Sequence, residues 1–181
     1  EGYLQLLEQK YPFDHSKRVK YFAEEVGLRI GLSKPEISEL KIAALLENIG
    51  FLRIPDAILN KNSQLSKSEM EEILLHPVYS GELATSMMLP ANIIESVRCH
   101  HERYNGNGYP NRIGGSEIPL YARIIGICDS FAALTTEKPF RDPMSTEDAI
   151  AVLKKESFLF DPDMLRAFVD AMSFAKGTQH I

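Results

Sequence analysis

Residues 100–110 read HHERYNGNGYP, and at this point a helical pattern gives way to the longest predicted loop of the chain. The apolar residues Ile93, Ile94 and Val97 recur at helical spacing as far as the histidine pair. Beyond the pair, residues 102–118 hold four glycines and a proline, a density that neither a helix nor a strand tolerates. The segment therefore predicts a helix that ends at two imidazoles and is followed by a glycine-rich loop.

Helical periodicity continues outward from this segment in both directions. Ser33 with Glu36, and Ser66 with Glu69, form capping boxes that predict two helix starts. A short helix is predicted through Leu4 and Leu7, stopping before Pro12, and a second from about His15 to Ile30, ended by Gly31. The helix that Ser33 opens should end near Asn48, and helical structure should be interrupted at His76-Pro77. Further helix starts are predicted at Pro90, Pro119, Ser145 and Asp161-Pro162, and the last helix should end at Gly177. Because no alternating run is bounded by turns, we predict an all-α fold, a helical bundle with a long glycine-rich loop.

Length, composition and charge favour one soluble domain. The chain has 181 residues, 44% of them hydrophobic, and a formal net charge of -5. This acidic balance argues against a DNA-binding surface, and no apolar run is long enough to insert into a membrane. Cys99 and Cys128 lack a CxxC spacing, so we expect reduced core residues of a cytoplasmic protein. We expect residues 1–181 to form a single domain excised from a longer protein.

Polar residues at the predicted helix ends could together build a metal site. His15, His76, His100 and His101 all fall at helix starts or ends, and helix ends converge in compact bundles. Asp129 lies in an apolar stretch, where a carboxylate is costly unless it is paired or bound to a cation. Any one of these histidines alone is more often a cap or a satisfied polar residue. Two adjacent histidines before a glycine loop favour a site for iron, manganese or zinc.

The string at residues 100–110 resembles HHExxDGxGYP, the loop signature of the HD-GYP cyclic di-GMP phosphodiesterases of the HD superfamily. Other phrases resemble the same family in the same order, from about His15 to Phe168. They are HSKRV at 15–19, IPDAIL at 54–59, IPLYARI at 118–124, KPFR at 138–141 and FDP at 160–162.

The resemblance implies a metal site with His15, His76, His100, His101 and Asp129 at ligand positions. It would hold one or two divalent ions, iron or manganese first and zinc as a possibility. In the family such ions polarise a phosphodiester and supply a hydroxide for hydrolysis, and the substrate is cyclic di-GMP, opened to linear pGpG or cut to GMP.

The resemblance also implies residues that contact the substrate and a partner. Lys138 and Arg141 stand where the family places cations against the nucleotide phosphates, and Tyr109 and Asn105 belong to the substrate loop. In some members this loop, here residues 102–118, docks diguanylate cyclase domains. A cytoplasmic signalling protein is therefore expected.

The chain departs from the family at the residues that give it its name. Glu47-Asn48 stands in place of the adjacent His-Asp pair, and Phe51 replaces a lysine near the scissile phosphate. The carboxylate has moved one residue along a helix, which rotates its direction by about 100°. Asn48 can offer one carbonyl oxygen to a metal but cannot act as an anionic bridge between two metals, and Glu47 can still reach one ion. Lesser departures are Asn105 for an aspartate, Ala132 for a frequent aspartate, and Tyr11 at a position where some members have a glutamate ligand.

Three functions remain open from the sequence. One is a domain that keeps metal or nucleotide binding, with weak or absent hydrolysis and signalling through conformation or partners. Another is a working phosphodiesterase with an atypical metal set. The third is an interaction module with an empty pocket, in which the histidines serve only packing and capping. We favour the first, because binding is easier to retain than turnover once ligand positions change.

Overall fold

The computed structural model describes residues 14–137 and 142–177, and within these ranges every regular element is a helix. The α-helices are α1 Asp14–Arg29, α2 Lys34–Leu46, α3 Asp56–Leu59, α4 Lys67–Ile73, α5 His76–Ser86, α6 Ala91–Arg98, α7 Leu120–Leu134, α8 Thr146–Lys155 and α9 Pro162–Gly177, with 3-10 turns at Ile49–Arg53, Gly115–Glu117 and Ser157–Leu159. The predicted all-α class is confirmed. The short helix predicted through Leu4 and Leu7 lies outside the described residues. No described helix has the length and apolar character needed to cross a bilayer.

Helix α7 lies at the centre of the hydrophobic core, against α1, α6, α8 and α9. Ile124, Ile125 and Cys128 on this helix are completely shielded from solvent. The ring of Phe131 meets the rings of Phe22 on α1 and Phe168 on α9, each at a centroid distance of 5.0 Å. Because Asp129 follows Cys128 on this central helix, the core fixes where its carboxylate can go. Cys128 and Cys99 are both buried free thiols, as predicted.

The predicted helix boundaries are confirmed where a capping residue marks them. Glu69 accepts the backbone N–H of Ser66 at 2.7 Å, and the hydroxyl of Ser66 accepts the N–H of Glu69 at 3.3 Å. Gly31, at φ +78°, ends α1 in the left-handed region that favours glycine. The interruption at His76-Pro77 separates α4 from α5.

The end of α2 corrects the prediction. The helix stops at Leu46 rather than near Asn48, and a 3-10 turn follows. The hydroxyl of Ser80 on α5 donates to the carbonyl of Glu47 at 2.7 Å and accepts the N–H of Gly50 at 2.8 Å. A Cβ at Gly50 would come within 2.0 Å of the carbonyl oxygen of His76, so only glycine lets the chain approach α5 so closely. These contacts divert the backbone that carries Glu47 and Asn48 toward the start of α5.

Asp161 holds the start of α9 and ties it to α7. Its Oδ1 accepts the N–H groups of Asp163 at 2.9 Å and Met164 at 3.2 Å, and its Oδ2 accepts Nη1 of Arg123 at 2.5 Å. We expect Asp161→Ala to lower the free energy of unfolding by about 3 kcal/mol, because it removes a cap and strands a largely buried guanidinium. Urea denaturation measures this loss. Asp163→Ala is the matched control, since Asp163 pairs with Arg166 in solvent and should cost under about 1 kcal/mol. Equal losses in the two variants would contradict the assignment.

Candidate metal centre

Three imidazoles converge between the start of α5 and the end of α6, and we call His76, His100 and His101 the three-histidine group. One ligand nitrogen from each lies within 4.8 Å of the others. Nδ1 of His76 donates to the carbonyl of Ile73 at 2.8 Å, and Nδ1 of His100 donates to the carbonyl of Val97 at 2.7 Å. Since a carbonyl can only accept, each Nδ1 carries the proton. The Nε2 atom of each ring therefore presents a lone pair.

The two lone pairs face each other. Nε2 of His76 and Nε2 of His100 are 3.4 Å apart. Burial, reinforced by His100, lowers the pKa of His76 to about 3, and burial lowers the pKa of His100 to about 4. Both rings are therefore neutral at pH 7, with no proton between the two nitrogens. Two nitrogens of a tetrahedral ion with bonds of about 2.1 Å are separated by about 3.4 Å, so this spacing fits a shared cation.

His101 is held by rings instead of a carbonyl group. Its imidazole lies 4.1 Å from the ring of His100 and stacks on the ring of Tyr109 at 4.8 Å with an interplanar angle of 27°. Its Nδ1 is 3.9 Å from Oδ2 of Asp129. Burial and the neighbouring His100 lower the pKa of His101 well below its usual value, so this third ring is also neutral at pH 7.

A second cluster, the mixed group, contains His15, Glu47 and Asp129, again with ligand atoms within 4.8 Å of one another. Nε2 of His15 lies 2.8 Å from Oδ1 of Asp129 and 3.8 Å from Oε1 of Glu47. Burial alone would raise the pKa of Asp129, but the hydrogen bond from His15 and the interaction with nearby histidines hold it well below its usual value. Asp129 is therefore ionised at neutral pH, and it contacts histidines of both groups.

Glu47 is fully buried and only partly satisfied. Its Oε2 has no hydrogen-bond partner, and its Oε1 receives the amide group of Asn48 at 3.4 Å. Burial, and then the charge of Asp129, raise the pKa of Glu47 well above its usual value. A buried carboxylate with an unsatisfied oxygen beside imidazoles has the character of a ligand without its cation. The side-chain amide of Asn48 donates to Glu47 and so helps to hold that carboxylate in place.

Phe51 occupies the wall of the three-histidine group. Its ring stacks on the imidazole of His76 at 4.3 Å and 9°, and it packs with Ile54 in a small apolar cluster. Where the resemblance implies a lysine, this chain places an apolar surface against a ligand ring.

The residues predicted to contact substrate differ in where they lie. Tyr109 lies at the centre, stacked on His101. Asn105 is exposed in the loop, where its side-chain oxygen accepts the N–H of Asn107 at 3.1 Å. Lys138 and Arg141 lie outside the described residues. Their roles, like those of the metal-site residues, stay predictions.

Comparison with known proteins places the chain in a family. The HD domain family model matches residues 4–164. The chain belongs to the HD domain family. Its relatives include proteins named cyclic di-GMP phosphodiesterases, and within the HD domain family the chain belongs to the HD-GYP group. The predicted membership of the HD-GYP family is thereby confirmed.

This HD domain is similar to two curated proteins in particular. It is 30% identical over 171 residues to 3'3'-cGAMP-specific phosphodiesterase 3 of Vibrio cholerae, covering 93% of this chain and 37% of that protein. It is 34% identical over 157 residues to the cyclic di-GMP phosphodiesterase response regulator RpfG of Xanthomonas campestris, covering 84% of this chain and 41% of that protein. The chain thus spans about two fifths of the length of these relatives.

A solved structure supports the fold of this HD domain. Bd1817, described as an HDG"Y"P protein from Bdellovibrio bacteriovorus, superposes with a TM-score of 0.73 at 17% identity. The match covers 92% of this chain and 53% of that chain. At this level of identity the likeness concerns the fold alone.

Two positioning residues of this HD domain were missed from the sequence. Ser80 joins the backbone at Glu47 to the helix that His76 begins, and Arg18 donates to the carbonyl of Thr135 at 3.1 Å, fixing the end of α7. Ser80 follows His76 by four residues, so it shares one face of α5, which was the available signal. Nothing in the local sequence around Arg18 indicates a partner 117 residues away.

The pKa values of the three-histidine group predict a pH dependence of stability. Unfolded histidines titrate near pKa 6.5, whereas His76 and His100 titrate at about 3 and about 4 in the native chain. Between these values the unfolded chain binds more protons, so stability falls as the pH falls. From pH 7.5 to 5.0 we expect a loss of about 2 kcal/mol for each ring.

Glu47 has the opposite effect on stability, because a carboxyl group with a raised native pKa stabilises the native chain more as the pH falls. We therefore expect the thermal midpoint of metal-free Glu47→Gln protein to fall by several degrees over this range, measured by circular dichroism with a chelator present. Adding His100→Gln should remove a substantial part of that dependence. A midpoint that does not change with pH would contradict neutral, buried imidazoles.

Proposed function

We propose that this domain binds a divalent metal ion and a cyclic dinucleotide, with weak or absent hydrolysis. The observation that carries the proposal is the pair of opposed Nε2 lone pairs of His76 and His100, combined with a neutral amide at Asn48. The first feature favours a cation, and the second removes the anionic bridge on which the family's two-metal chemistry depends.

The three-histidine group takes the first ion. Its rings are neutral and two of them are already oriented by backbone carbonyls, so binding displaces no proton and costs little reorganisation. Imidazole donors suit iron and zinc, and the nearby carboxylate of Asp129 adds manganese to the candidates.

The mixed group is less prepared for an ion. Nε2 of His15 lies at hydrogen-bond distance from Asp129, and burial with the charge of Asp129 raises the pKa of Glu47 well above its usual value. A cation at the mixed group therefore competes with that hydrogen bond and with protons for Glu47. A second ion therefore binds more weakly, and its affinity rises with pH.

The nucleotide proposal rests on the relatives and on the loop. The named activities of the relatives are hydrolysis of cyclic di-GMP and of 3'3'-cGAMP. We take cyclic di-GMP as the ligand, with Tyr109 and Asn105 on the loop and Lys138 and Arg141 as its contacts. Docking of a diguanylate cyclase domain on the polar loop 102–118 stays a separate prediction.

Weak hydrolysis follows from two side chains. When bound, the metal ions polarise the phosphodiester and lower the pKa of a water. Asn48 has no charge with which to hold two ions at a fixed spacing. Phe51 offers an apolar ring where a cation would stabilise the charge that develops on the phosphate in the transition state. The loss of that cation therefore slows hydrolysis more than it weakens substrate binding.

The test measures binding and turnover on the same protein. Chain purified without chelator is analysed for iron, manganese and zinc, and is then titrated calorimetrically with cyclic di-GMP and 3'3'-cGAMP. Linear product is followed with excess Mn²⁺. We expect metal near one ion per chain, saturable nucleotide binding, and little product.

Each alternative has its own outcome. Rapid turnover that His101→Ala abolishes would overturn weak hydrolysis and support the working phosphodiesterase. Failure to bind either metal or nucleotide would overturn the proposal in favour of the interaction module. Arg53→Ala is a matched control, because Arg53 pairs with Glu82 at the surface and should change neither measurement.

A further inference from the structure

His101 is oriented differently from the other two rings of the three-histidine group. His76 and His100 are each fixed by a hydrogen bond from Nδ1 to a carbonyl three residues earlier. Among the described residues, no carbonyl accepts a hydrogen bond from the ring of His101. Its ring stacks instead on the ring of Tyr109, which belongs to the loop.

Glu102 fastens that loop. The residue is 4% exposed, and its Oε1 accepts the backbone N–H of Asn111 at 2.6 Å. Asn111 lies two residues beyond Tyr109, so this bond closes the segment that carries the stacked ring. Burial keeps the bond away from competing water.

The approach of the loop to the histidine pair is close. The N–H of Tyr109 donates to the carbonyl of His101 at 3.2 Å. A Cβ at Gly108 would lie 2.3 Å from the nitrogen of Arg103 and 2.4 Å from Cα of Glu102. The backbone of the loop therefore packs directly on residues 101–103, and only glycine permits this at position 108.

We propose that Glu102 is a positioning residue, which holds the loop through Asn111 so that the ring of Tyr109 fixes His101 within the three-histidine group. The proposal rests on the proposed function for its metal but not for its geometry. Glu102 touches neither ion nor substrate in this role, and it acts through Tyr109 and His101.

The metal test is a double-mutant cycle with Co²⁺, whose visible absorption reports its coordination. We expect Glu102→Ala to weaken Co²⁺ binding by about tenfold or more and to change the absorption bands. Glu102→Gln keeps an acceptor oxygen and should stay within about threefold of the unchanged chain. In a His101→Ala background, Glu102→Ala should add less than about twofold, because the residue through which it acts is gone. An equal loss in both backgrounds would overturn the proposal.

The geometric test needs no metal. In the metal-free chain, nuclear Overhauser contacts between the rings of Tyr109 and His101 should be present, lost in Glu102→Ala and retained in Glu102→Gln. Gly108→Ala displaces the loop without touching the carboxylate and should lose the same contacts. Asn111→Ala keeps the backbone N–H and is the matched control.

The two tests separate the possible failures. If the unchanged chain binds no Co²⁺, the metal function fails, while the ring contacts still decide the role of Glu102. Ring contacts that survive in Glu102→Ala would overturn the positioning role, whatever the metal result.

Discussion

Cyclic di-GMP hydrolysis should rise on the order of 10²-fold when Glu47→His, Asn48→Asp and Phe51→Lys are combined in one variant. By the resemblance to the family, the new aspartate can supply the anionic bridge that the amide of Asn48 lacks. The new lysine would replace the ring stacked on His76 by a cation. Initial rates of linear product formation with excess Mn²⁺ measure the gain.

The gain should depend on the bridge. Phe51→Lys alone adds a cation without a second bound ion, so we expect less than about a tenth of the combined effect. Circular dichroism shows whether the combined variant folds. A folded, metal-loaded variant without any gain would show that positions 47, 48 and 51 do not correspond to the family's pair and lysine.

Asp129→Asn should weaken Mn²⁺ binding by about 100-fold. The carboxylate is ionised at neutral pH because the hydrogen bond from His15 and the nearby histidines hold its pKa low despite burial. Oδ1 contacts His15 and Oδ2 faces His101, so one substitution removes negative charge from both groups. Calorimetric titration measures the loss.

The neighbouring residue provides the control for Asp129. Ser130 lies on the same helix, and its hydroxyl donates to the carbonyl of Gly126 within that helix. Ser130→Ala should leave Mn²⁺ affinity unchanged. Equal affinity in Asp129→Asn and Ser130→Ala would mean that the ion binds elsewhere.

The fold followed from local signals. Capping residues such as Ser66 and Asp161 accept hydrogen bonds from backbone N–H groups within three residues, so a short stretch of sequence is enough to predict their effect. The end of α2 was misplaced because Ser80, on another helix, sets it. A contact between residues 30 or more apart leaves no local pattern.

The site was predicted in its composition but not in its geometry. The structure places the four histidines at helix ends and Asp129 within α7, in two adjoining groups, while their roles as metal ligands stay predictions. Their division into two groups depends on contacts such as the hydrogen bonds from His76 and His100 to backbone carbonyls, and these contacts arise from packing. The stacking of Phe51 on His76 and the bond of Glu102 to Asn111 arise in the same way.

Anomalous diffraction from a crystal soaked in Mn²⁺ locates bound ions directly. We predict a strong peak within bonding distance of Nε2 of His76 and Nε2 of His100, and a weaker peak, or none, among His15, Glu47 and Asp129. A crystal with no anomalous peak beside the three-histidine group would contradict the metal site. Two equal peaks bridged by residue 48 would contradict the unbridged arrangement.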